Sequence, residues 1–244
     1  MPNDKQRGGW KILKIVETDT QKDVFLEARI ALMNATDPLQ PLDMWRFGRA
    51  VERSVKLCFE VSFVDVDLVH PTQPRSYLDN YSYMNRVPVR VFKRYKTHVT
   101  VVWRVITSEA SRSKEHVIKI VNASELPAAD GKGSVYGRGT INGSDVKINA
   151  NYVSGILSGH DRNTIPHELG HTLGLLHIDV NTHRYKFFGY ESDQYLTPDR
   201  QIADSNNVMF NGRSPFMKDS LSTDFSPTQI RRIVKNLQQG TVNR

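Results

Sequence analysis

Apolar and polar residues follow two periods along this chain, and the switches between them mark its elements. Trp10 to Val16 (WKILKIV) reads as a first strand. From Thr20 to Ala35, Val24, Ala28, Ala31 and Leu32 recur on one side at helical spacing and predict a helix, and Asp43 to Ser54 predicts a second. The period then drops to two. Leu57, Phe59, Val61 and Phe63 alternate with Lys56, Cys58, Glu60 and Ser62, and the phase slips at Val64, Val66 and Leu68, as at a bulge or strand end. Val87 to Lys93 and Thr97 to Ile106 are expected to form a hairpin through Arg94-Tyr95-Lys96, and Val117 to Val121 a further strand. The Pro- and Tyr-rich stretch from His70 to Pro88 predicts a long loop. Near the C-terminus, Ser226-Pro227-Thr228-Gln229 precedes the periodic Ile230, Ile233, Val234 and Leu237. Ser at the N-cap, Pro at the first helical position and Gln at the third mark a helix start.

Chemistry concentrates in residues 167 to 177, HELGHTLGLLH. On a helix, positions four apart share a face, so His167 and His171 can offer two ring nitrogens to one ion. Glu168 projects beside them, where a carboxylate can act as a base on a metal-bound water without being a ligand. A straight helix would carry His177 away from that ion. Gly174 is the natural stop: at positive φ it can end the helix and swing His177 back as a third ligand. Three nitrogens leave one tetrahedral position open, which distinguishes a catalytic zinc site from a closed structural one. Asn163 or Thr164 can cap this helix, with Pro166 tolerated in its first turn.

The string H-E-x-x-H-x-x-G-x-x-H resembles the metzincin clan of zinc endopeptidases, whose pattern includes a methionine turn downstream. Ser205-Asn206-Asn207-Val208-Met209-Phe210 matches that turn in position, and the resemblance implies that Met209 lies as an apolar floor under the three histidines. An ordinary core methionine is the alternative. Gly133 to Ile141 and Asp145 to Val153 resemble the edge strand and last strand before the active-site helix of matrixin-like members. The implied fold is α+β: a twisted, mostly parallel sheet with an antiparallel edge strand, backing helices, the active-site helix, and a small C-terminal subdomain ending in a helix. A disordered segment 1–9 would precede one catalytic domain, 10–244, divided at residue 174. The resemblance further implies zinc as cofactor, Glu168 as general base, and an extended protein or peptide substrate added to the edge strand between Val135 and Ile141. Two features depart from members of the clan. Asn211 stands where astacin-like and serralysin-like members carry a tyrosine, and the cysteine-rich tail of archaemetzincins is absent.

Other residues have candidate roles at or near the site. Asp179 could orient a histidine, and Asp65 and Asp67 could help hold a structural calcium. A rival ligand set replaces His177 by Glu191, as in gluzincins, and a rival of another class is a non-catalytic metal-binding module. Composition narrows the setting. Among 244 residues, 39% are hydrophobic and 24% charged, which is ordinary globular usage. The net charge of +7 is spread along the chain. Its tightest groups, Arg90-Lys93-Arg94-Lys96 and Arg231-Arg232-Lys235, read as solvated surface, so no nucleic-acid partner is expected. The single Cys58, expected on a strand face, excludes an internal disulfide. No run is long enough for a membrane span, and MPNDKQRGG lacks the apolar core of a signal peptide. The expectation is a monomer, secreted or periplasmic, with its export signal absent from this sequence.

Overall fold

A computed structural model of the chain describes residues 8–69, 89–128, 133–179, 194, 198–211 and 222–242. Among these residues, seven strands form one sheet: β1 (Trp10–Glu17), β2 (Gln21–Asn34), β3 (Ser62–Val69), β4 (Val89–Ile106), β5 (His116–Val121), β6 (Gly137–Gly139) and β7 (Asp145–Asn149). Their order is β3-β4-β2-β5-β7-β6, with β1 also paired to β2. The central ladders β4–β2–β5–β7 are parallel, while β1, β3 and β6 are antiparallel to their neighbours. The result is a mixed α/β fold with a parallel centre and three antiparallel strands where one was expected. Strand β2 serves three partners. One edge carries β4 along its length; the other is shared by β1, from Lys22 to Ala28, and β5, from Ile30 to Asn34.

The segment predicted as a helix over Thr20 to Ala35 is therefore strand β2. Its residues are mostly good helix formers, but Val24, Leu26, Ala28, Ile30 and Leu32 alternate and are all buried, and pairing on both edges overrides local propensity. The helix predicted from Asp43 instead runs further, as α1 (Met44–Phe59), with the Asp43 carboxylate capping the Arg46 amide. Phe47, Ala50, Val51, Ser54, Val55, Cys58 and Phe59 are buried along one stripe, so Leu57 to Phe59 belong to the helix and not to a strand. Cys58 accordingly lies on a helix, and its burial pushes the thiol pKa up. The predicted hairpin is one continuous strand. Arg94-Tyr95-Lys96 contains no turn former, and Tyr95 is buried with its ring stacked on Phe63 at 4.9 Å. The basic group around Lys93 thus lies along β4 rather than at a turn. The predicted loop from His70 to Pro88 lies outside the described residues.

After β7 come the short helix α2 (Val153–Ser158), α3 (Thr164–Thr172), α4 (Pro198–Ala203) and α5 (Pro227–Gln239). Helix α5 starts with the predicted capping box: the Ser226 hydroxyl accepts from the Gln229 amide, and the Gln229 side chain accepts from the Ser226 amide. One apolar cluster joins the alternate positions of β2 to Phe47 and Phe59 of α1, Ile165 and Leu169 of α3, and Ile230 and Ile233 of α5. This core holds α3 against the sheet. Among the described residues, no helix is long and apolar enough to cross a membrane.

The fold begins before Trp10. The Gly9 amide donates to Nδ1 of His116 (3.1 Å) and its carbonyl accepts from the Arg29 amide (3.0 Å). With Nδ1 an acceptor, Nε2–H of His116 donates to the Thr172 hydroxyl (3.0 Å), which donates in turn to the Leu169 carbonyl (2.7 Å). This chain ties the N-terminal segment to the end of α3. Burial holds the fully enclosed His116 down at about 3. Below pH 6.5 the unfolded chain protonates this histidine and the folded chain does not, so stability is lost as pH falls from 6.5 toward 3. The expected contribution is at most about 1.4 kcal/mol per pH unit. In urea titrations of the metal-free chain, His116→Gln should reduce the slope over this range by up to that amount; an unchanged slope would remove His116 from the account.

Candidate metal centre

Helix α3 is set by its two ends. At its start the Asp161 carboxylate accepts from the amides of Asn163 (3.1 Å) and Thr164 (3.0 Å) and from the Thr164 hydroxyl (2.7 Å). Asp161 therefore does the capping expected of Asn163 or Thr164, and Pro166 falls in the first turn as predicted. At its end the Leu175 amide donates to the Gly170 carbonyl and the Gly174 amide to the His171 carbonyl, both 2.9 Å, with Gly174 at φ +86°. This is a Schellman turn. A Cβ on Gly174 would also lie 2.5 Å from Asn236 Nδ2 and 2.6 Å from Asn142 Oδ1. Gly174→Ala adds left-handed strain of about 1–2 kcal/mol to overpacking of about 1–3 kcal/mol. We expect a fall in thermal midpoint with a weakened metal site; a variant melting like the parent would show that the turn tolerates a side chain.

The turn brings three rings together. Nε2 of His177 lies 3.1 Å from Nε2 of His167 and 3.2 Å from Nε2 of His171, and one ligand atom from each ring falls within 4.8 Å of the others. The opposite nitrogens of the two helical rings are anchored: Nδ1–H of His167 donates to the Val208 carbonyl and Nδ1–H of His171 to the Leu175 carbonyl, both 2.8 Å. Those bonds fix the tautomer and turn both Nε2 lone pairs inward. Burial pushes His171 down to about 3 and His177 down to about 2, with neighbouring histidines adding to both. Unprotonated nitrogens this close repel unless a cation lies between them. A tetrahedral zinc with bonds of about 2.0–2.1 Å spaces its nitrogens about 3.3 Å apart, so the rings fit such an ion.

Glu168 stands beside His167 on α3, against the edge strand β6. It is 7% exposed, and burial raises its pKa against the opposing effects of His167, the Gly139 amide and Arg138. The Gly139 amide donates to its Oε2 at 2.5 Å. That approach requires the two glycines of β6: a Cβ on Gly139 would sit 2.2 Å from the Glu168 carbonyl oxygen, and one on Gly137 2.9 Å from its Cγ. The edge strand is shorter than the predicted stretch from Val135 to Ile141. The Val135 amide is already bonded to the Leu126 carbonyl, and the chain turns after Gly139. The last strand is shorter too, since it ends at Asn149 and the predicted continuation to Val153 is a helical turn.

The segment after the histidines supports them from below. Met209 is fully buried, and its sulfur lies where a Cβ on Gly170 would be only 2.6 Å away, so the thioether packs directly on the histidine-bearing helix. Its carbonyl accepts from the Ile178 amide (3.1 Å), next to His177. The turn is held by side-chain bonds that the sequence did not reveal. Asn207 and Gln229 exchange side-chain amide bonds at 2.9 and 3.2 Å, and Asn207 Oδ1 accepts from the Met209 amide. Gln194 accepts from the Leu176 amide and donates to the Gly174 carbonyl. Asp179 accepts from the Asn211 amide (2.9 Å), while main-chain carbonyls fill the orienting role at His167 and His171. Asp65 pairs with Arg231, and the Asp67 side chain and Glu191 lie outside the described residues.

No protein-family model matches the sequence, and no curated protein matches it. Among solved structures, the chain is similar to an archaemetzincin from Methanopyrus kandleri, with 15% identity, a TM-score of 0.43, and coverage of 87% of this chain and 96% of that one. It is also similar to metalloproteinase-II from Bacteroides fragilis, with 10% identity, a TM-score of 0.38, and coverage of 100% of this chain and 56% of that one. A likeness this loose fixes neither the fold family nor the chemistry.

Proposed function

We propose that the chain is a zinc-dependent endopeptidase of metzincin type that hydrolyses extended protein or peptide substrates. One observation carries this reading: three imidazole nitrogens converge, two of them with ring tautomers fixed by main-chain carbonyls. His167, His171 and His177 would hold the zinc. Bound there, zinc supplies Lewis acidity, lowering the pKa of water to about 7 and polarising a peptide carbonyl. Glu168 takes the proton of the attacking water and passes it to the leaving amine, its carboxylate aimed by the Gly139 amide. The free edge of β6 orients the substrate backbone beside that carboxylate. The positive-φ turn at Gly174 and the packing of Met209 against Gly170 support the metzincin reading over a gluzincin one, which uses neither.

Casein and a quenched peptide library, each incubated with and without a chelator, test the proposal. Cleavage should disappear on chelation and return with added zinc. A folded, zinc-loaded protein that cuts nothing would leave a binding module as the better description.

A further inference from the structure

Across the sheet's outer face, register places Lys119 of β5 beside Lys147 of β7, and Lys147 beside Arg138 of β6. The row of cations is matched unevenly. Lys119 pairs with Glu109, and Lys147 with Glu125 at 3.0 Å. Arg138, the last of the row, is exposed and donates to the Pro127 carbonyl (3.1 Å); its charge acts on Glu168, but no carboxylate among the described residues forms an ion pair with it. Its strand is the edge of the sheet.

We propose that Arg138 selects an acidic residue in the substrate, so that the preferred substrates are extended peptides with Asp or Glu at one position. The inference rests on the peptidase reading above, which places a substrate strand on this edge. Backbone alternation supplies the geometry. The Tyr136 carbonyl and the Thr140 amide bond toward β7, so those of Arg138 do likewise, and Gly137 and the Gly139 carbonyl turn to the free edge, the Gly139 amide being held by Glu168. An antiparallel peptide on that edge then meets Arg138 at a non-hydrogen-bonded pair, where facing side chains come closest. The peptide residue opposite Arg138 points to the same outer face as the guanidinium. Residues opposite the two glycines meet no side chain on β6. Charge selection is therefore confined to one substrate position, and the substrate's carboxylate completes the row as Glu109 and Glu125 do for its lysines. An arginine fork suits that carboxylate better than a lysine would.

The experiment compares the full-length wild type with Arg138→Ala and Arg138→Glu on a quenched peptide library in which each position carries Asp, Asn or Lys. Wild type should favour Asp over Lys at one position by about fivefold in kcat/KM, as expected of an exposed ion pair. Arg138→Ala should erase that preference and Arg138→Glu reverse it, each read as the ratio of Asp to Lys peptides within one protein. The preference should shrink in molar salt. A second measurement, fluorescence anisotropy of labelled Asp and Lys peptides with chelator present, reads binding without hydrolysis. Charge-selective binding that follows Arg138 without any cleavage supports this inference while removing the peptidase reading. Cleavage with the same charge profile in all three proteins overturns the inference and leaves the peptidase reading intact. Absence of charge-selective binding in the wild type overturns it as well.

Discussion

Replacing Glu168 by alanine is expected to lower kcat/KM by about 10²–10⁴-fold while zinc remains bound, the usual cost of losing a positioned general base. The three ring nitrogens lie on neighbouring residues and touch one another without help from this carboxylate, so the metal has no reason to leave. Glu168→Gln separates two contributions. Its amide oxygen can still accept from the Gly139 amide, preserving the seat against β6, yet it cannot carry a proton. Both variants should therefore be inactive, with Gln the more stable of the two. Glu168→Gln activity within tenfold of wild type would mean that the proton travels by another route.

The second large effect is on metal affinity. His177→Ala removes the ring whose Nε2 lies 3.1 and 3.2 Å from those of the other two, and zinc affinity measured by competition with a chromophoric chelator should fall by more than the 10–100-fold typical of losing an outer-sphere partner. Glu191→Ala is the control. If zinc survives His177→Ala and is lost with Glu191→Ala, the third ligand is the glutamate and the gluzincin set applies. His177→Ala should leave the thermal midpoint of the metal-free chain nearly unchanged, because the Schellman turn and the Gln194 bonds hold the segment independently of this side chain.

Most of the site was legible because its parts are close in sequence. Eleven consecutive residues carry the three imidazoles, the carboxylate and the glycine; helical spacing relates His167, Glu168 and His171, and the positive φ of Gly174 returns His177 to them. The supports of that site were not legible. Val208, Gln194 and the Asn207–Gln229 pair act through main-chain or amide bonds between distant segments, and nothing local marks a residue for such a role. The fold shows the same division. Asp43 and Ser226 announced their helices by capping chemistry, whereas β2, with the helix-forming run Leu26-Glu27-Ala28-Arg29 at its centre, reads as a helix from its own residues alone. Alternation was present in β2 all along, but Ala31 and Met33 are buried as well, in a smaller cluster with Ile106 and Val117, and that second buried face blurs a period of two into a period of 3.6.

The three-way pairing of β2 bears on how the chain reaches this state. During synthesis β1 can pair with it at once, but Gln21 must wait for Arg94 and Ile30 for His116 before the remaining edges close. Loop closure over such separations precedes any reward from the parallel ladders, so folding should be slow for the chain's size. Until then a half-covered strand is exposed to other chains, and the histidine helix has no sheet to rest on. Metal uptake would thus come late, and excess zinc supplied to the nascent chain should not hasten assembly.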